Sequence, residues 1–115
     1  MSYGKTASKS YAQRRAAELW IRTAKSVSEG KGIPPKTPSF YENIYGEPLV
    51  KPKSIKGIKM DPVTSLVTAG FYLFGPHWTK VYEEIEVPDK RGKMRKLPNN
   101  MGKGFDKMQD AFGEE

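Results

Sequence analysis

At 115 residues the chain has room for one domain, and its 37% apolar content lies below the roughly 45–50% usual for globular domains. It has no cysteine, which excludes disulfides, thiolate metal sites and a cysteine nucleophile. Its net charge of +7 is uneven, with 12 Lys and Arg against 4 Asp and Glu in residues 1–60 but 8 against 9 in residues 61–115, so the first half suits an anionic partner.

Residues 1–9, "MSYGKTASK", read as a mobile basic arm. A helix is expected from Ser10, where Ala12, Ala16, Leu19, Trp20, Ala24 and Val27 recur at helical spacing. Ser10 can cap its start, and "GKG" at 30–32 supplies the stop. Residues 1–17 hold four basic residues, several serines and no acid, the chemistry of a mitochondrial targeting segment, which would then be a retained one. An ordinary amphipathic surface helix has the same composition. Trp20 is expected to anchor into a partner or an interface.

Residues 33–60 contain several prolines and no steady period, which predicts an extended strap with a turn near "YGEP". Phe40, Tyr41, Ile44 and Tyr45 make an aromatic knot within it, suited to a groove on another protein.

Asp61-Pro62 is a helix start and Gly75-Pro76 a stop or kink. Val63, Leu66, Val67, Phe71 and Phe74 are placed along one side, with Ala69, Tyr72 and Leu73 covering much of the rest. A helix apolar most of the way round is buried, in protein or in lipid. The charge-free run from Pro62 to Thr79 is 18 residues, about 27 Å if it continues through a Pro76 kink. That length just spans a bilayer, with Trp78 at the interface and Lys59 and Lys80 snorkelling from its ends. Lysines at 51, 53, 56 and 59 would then place the N-terminal half on the matrix side. A short helix buried in a soluble domain is the alternative.

Downstream, Trp78, Val81, Tyr82 and Ile85 share a helical face, followed by a turn at "VPDKRGK". Helix then loop is the preferred reading, and a hairpin starting with "KVYEEIEV" the other. "KRGKMRK" is a basic cluster suited to solvent or phosphate. Phe105, Met108 and Phe112 line one face of a short C-terminal helix with an acidic ending.

Catalytic patterns are missing. His77 stands without a second His or Cys at metal-ligand spacing, and Glu83 and Glu84 are adjacent, so they do not face each other on a helix. "EGKGI" and "NMGKGF" lack phosphate-loop spacing, and no RNA-binding module is recognisable. The chain therefore reads as a non-enzyme with no catalytic, cofactor or metal residues.

A basic amphipathic N-terminus, a Pro-rich strap, one marginal apolar helix and a charged tail together resemble the layout of supernumerary subunits of mitochondrial inner-membrane complexes. Locally, "WTKVYEEI" at 78–85 is similar to a "YTKVYQEI" run in the small proteolipid accessory subunit of ATP synthase. There the run precedes the membrane helix; here it follows the apolar stretch. The resemblance implies a structural accessory subunit at the inner membrane that clamps core subunits of a respiratory or ATP synthase complex and touches lipid. Trp20, Phe40, Tyr41, Tyr45, Phe71, Phe74 and Trp78 are the expected partner anchors. The other reading is a soluble basic subunit of a ribonucleoprotein or filament-lining assembly, in contact with nucleic acid or acidic side chains. In either case the fold expected is mainly α and non-globular, organised as 1–32, 33–60, 61–87 and 88–115.

Overall fold

Caps and glycines divide the chain. The computed structural model describes residues 4–113, with side chains from residue 11 onward. The elements are α1 (Gly4–Ser28), α2 (Phe40–Tyr45), α3 (Pro52–Ile55), α4 (Pro62–Phe74), a 3-10 turn (Gly75–His77), α5 (Trp78–Glu84), strands β1 (Glu86–Pro88) and β2 (Met94–Lys96), and α6 (Met101–Phe112). The arm expected over residues 1–9 lies outside the described residues at 1–3 and is helical from Gly4. The acidic ending, Glu114 and Glu115, also lies outside them.

α1 stops where expected. Gly30 and Gly32 both take positive φ, which a glycine adopts without steric cost, and the chain turns back there. α4 starts as the sequence predicts. Asp61 Oδ2 accepts the Thr64 N–H at 3.0 Å, and Pro62 occupies the first turn. Hydrogen bonds from Thr64, through its side chain first and then its N–H, hold the Asp61 carboxyl below its ordinary pKa of 3.8. The cap therefore contributes fully above that value and is lost as pH falls through the lower folded pKa. Asp61→Asn keeps an oxygen acceptor but no titration, so its acid-unfolding curve should be shallower below pH 4 than that of the unsubstituted chain, as read by far-UV circular dichroism.

The strap is not extended throughout. It makes two short helices, α2 and α3, and sends Ile33 and Val50 onto the core. The helix expected from Trp78 forms as α5 and takes up most of "KVYEEIEV", but a short hairpin follows it in place of the expected loop, its first strand beginning only at Glu86. β1 and β2 pair antiparallel, Val87 opposite Arg95, across a turn organised by Asp89. Asp89 Oδ1 accepts from the Arg91 and Lys93 N–H groups and Oδ2 from Arg95 Nε at 3.0 Å. The basic cluster is thus partly neutralised by its own turn residue.

Two expectations are corrected. First, no helix among the described residues is long and apolar enough to cross a membrane. At 13 residues α4 is about 20 Å long, against about 30 Å of hydrocarbon. The charge-free run does not form one kinked span; Gly75 ends α4 at φ +76 and ψ −157, and the run is shared among α4, the 3-10 turn and α5. Second, the chain is not non-globular. Its radius of gyration is 14.1 Å, near the roughly 13 Å of a folded domain this long and far from about 34 Å unfolded.

The core explains how a chain poor in apolar residues folds. Trp20 is fully buried, and its indole Nε1 donates to the Leu66 carbonyl at 2.9 Å. Around it stand Phe74, Tyr82 and Trp78, with ring centroids 5.0, 6.0 and 6.3 Å away, edge-on. Such pairs add to the burial energy of the rings. Small residues make the room. A Cβ on Gly70 would lie 2.9 Å from the Trp20 ring, and Gly104 sits under the Tyr82 hydroxyl, which donates to the Pro98 carbonyl at 2.6 Å. Ala17, Ala24 and Ala69 are buried between the larger side chains. A few large rings set against glycine and alanine fill a core that a count of apolar residues underestimates.

Candidate protein-docking surface

Apart from Tyr11, every large hydrophobic left exposed among the described residues lies between Phe40 and Val63. Three of them sit on α2. Phe40, Ile44 and Tyr45 are 42%, 74% and 66% exposed, and no residue of α2 is buried. A two-turn helix is marginal on its own, so the surroundings must hold it in place.

They do so at both ends. Ser39 caps α2, its Oγ accepting the Glu42 N–H at 3.0 Å while donating to the Tyr72 carbonyl at 2.7 Å. Tyr72 reciprocates: its hydroxyl donates to the Thr37 carbonyl at 3.1 Å. Burial, with the charge of Glu42 adding to it, pushes the Tyr72 phenol above its ordinary pKa, so it stays a donor. Gly46 closes the helix in the left-handed conformation, its N–H bonding to the Glu42 carbonyl at 2.7 Å. One side of α2 lies on the end of α4. The Phe40 ring stacks on Phe74 at 5.8 Å, and Tyr41 lies against Gly75. Tyr41 and Tyr45 pair at 4.6 Å. The result is a fixed helix presenting apolar side chains outward.

The expected anchors separate into two groups. Trp20 and Trp78 are buried within this chain and have no face left for a partner. Phe71 and Phe74 are half-buried, Phe71 against Trp78 at 5.7 Å and Phe74 between Trp20 and Phe40. Phe40 and Tyr45 face outward, and Tyr41 is half-buried beside them. Ile44, part of the aromatic knot but not among the expected anchors, is the most exposed of the set. Leu49 and Ile58 carry no signal of exposure in the sequence, since single apolar residues in the strap read equally well as internal contacts, and Val63 reads there as part of the apolar side of α4.

Two other features have less character. An open groove of about 750 Å³ between α1 and the end of α6 is lined by Arg14, Arg22, Lys25 and Lys31 against Glu18 and Glu29, so it is basic on balance, with Glu29 paired to Lys31 at 3.2 Å. Among the described residues no three His, Asp or Glu side chains gather into a group able to hold a metal ion. Compared with known proteins, the chain matches no family model, no curated protein and no solved structure.

Proposed function

We propose that this chain is a structural accessory subunit, without catalysis of its own, that clamps onto protein subunits of a mitochondrial inner-membrane respiratory or ATP synthase complex. The observation that carries it is α2. A short helix capped at both ends and pinned on α4 shows its apolar residues to the outside, where they gain nothing until another surface covers them. Among the described residues no helix is long and apolar enough to cross a membrane, and the association proposed is with protein subunits. Placement on the matrix side then rests on the basic, acid-free residues 1–17 alone.

Native gel electrophoresis of digitonin-solubilised mitochondria carrying a tagged full chain tests this. The chain should migrate with a large complex. Ile44→Asp should release it, while the purified variant keeps its stability to within about 0.5 kcal/mol, as exposed positions do. A chain that runs free would overturn the proposal.

The ribonucleoprotein reading draws support from one observation: α4 packs on protein, as a subunit needing no lipid would have it. Under that reading the chain sediments with an RNA-containing particle and is released by ribonuclease.

A further inference from the structure

We propose that residues 49–59 form a second surface, which lies on an anionic phospholipid membrane. It uses none of the α2 residues, so it stands or falls separately from the docking surface.

Between Glu47 and Asp61 the chain has no acid and four lysines, Lys51, Lys53, Lys56 and Lys59. All four are exposed, and none forms an ion pair within the described residues. Two exposed aliphatic side chains accompany them, Leu49 before the first lysine at 43% exposure and Ile58 before the last at 50%. The segment is held rather than loose. Ile55 is buried and pins α3 to the body. The Gly57 N–H bonds to the Gly30 carbonyl at 2.8 Å, and the Met60 N–H reaches the Ser28 carbonyl at 3.4 Å. The stems of Lys56 and Lys59 lie over Gly32 and Gly30, where an added Cβ would meet them at 3.3 and 3.2 Å.

Each part of this arrangement has a use at a lipid surface. Lysines meet phosphate headgroups, and exposed aliphatic side chains enter the boundary between headgroups and acyl chains. The aliphatics decide between anionic partners. Bases stack on aromatic rings, so Leu49 and Ile58 add nothing to a grip on RNA. The segment's positive charge with no internal counter-charge matches a surface of uniform negative charge.

The test is co-sedimentation of the full chain with sucrose-loaded vesicles, either of phosphatidylcholine alone or of equal parts phosphatidylcholine and phosphatidylglycerol. Binding is expected to the second and not the first. Each lysine near such a surface is worth about fivefold in partitioning. K51Q/K53Q/K56Q/K59Q should therefore lower binding by at least about a hundredfold, and L49S/I58S by about tenfold, with unchanged thermal midpoints in both. Equal binding to neutral vesicles, or undiminished binding of the four-lysine variant, would overturn the proposal. Loss in the four-lysine variant with unchanged binding of L49S/I58S would also overturn it, since RNA or an acidic protein surface would attract bare charge equally well.

Discussion

Trp20→Ala is expected to destabilise the isolated chain by about 3–5 kcal/mol, the range for removing a large aromatic from a core. The residue is fully buried, contacts the rings of Phe74, Trp78 and Tyr82, and donates to the Leu66 carbonyl. Domains are stable by only about 5–15 kcal/mol, so this one substitution removes a large share. The unsubstituted chain should unfold in one cooperative thermal transition, and the variant should melt about 10–20 °C lower or not fold. Trp20→Phe keeps a ring but loses the N–H and part of the volume, and should fall between the two. Circular dichroism melts of the purified chains decide the matter. A Trp20→Ala midpoint equal to the parent's would mean that the indole takes no part in the core and that the core is built otherwise.

Much of the backbone is legible in the sequence, because its signals are local. Asp61-Pro62, Gly75-Pro76 and the glycines at 30 and 32 act through φ preference and capping, and they set ends of α1 and α4 where expected. α6 likewise follows from Phe105, Met108 and Phe112, the first two buried and the third half-buried. Which face of α4 turns inward is not legible. Of Val63, Leu66, Val67, Phe71 and Phe74 only Leu66 is fully buried, and Ser65, Ala69, Gly70, Tyr72 and Leu73 make up the rest of the buried face. A helix apolar nearly all round has no period to read, and small residues become interior only once Trp20 is known to need the space.

The same gap divides the candidate surfaces. The aromatic knot stands out as composition, since four apolar side chains in six residues exceed what a linker requires. That Trp20 and Trp78 are spent internally, while Ile44 is not, depends on contacts between residues far apart in the chain, which no local pattern encodes. The four lysines at 51–59 are visible in the sequence, but as flanks of a membrane span they point to orientation. Once α4 proves to be a core helix, the same charges need another use, and the exposed Leu49 and Ile58 beside them supply the direction.

Gly75→Ala should be the second most damaging substitution, for two separable reasons. Its backbone, at φ +76 and ψ −157, lies in a region essentially reserved for glycine, where any other residue costs about 1–3 kcal/mol. Its missing Cβ is also where the Tyr41 ring lies, so an added methyl must push α2 off the end of α4. Overpacking of this sort costs about 1–3 kcal/mol more. A double-mutant cycle separates the two. In a Tyr41→Ala background the methyl has space, so Gly75→Ala should there cost only the backbone part, leaving a coupling of about 1–3 kcal/mol. Urea unfolding of the four chains gives the number. The consequence for function follows from the same geometry. Because α2 carries Phe40, Ile44 and Tyr45, Gly75→Ala should also weaken migration with the large complex at a temperature where the variant is still folded. A coupling of zero would mean that Tyr41 does not rest on Gly75, and that the outward face of α2 is positioned by Ser39 and Phe40 alone.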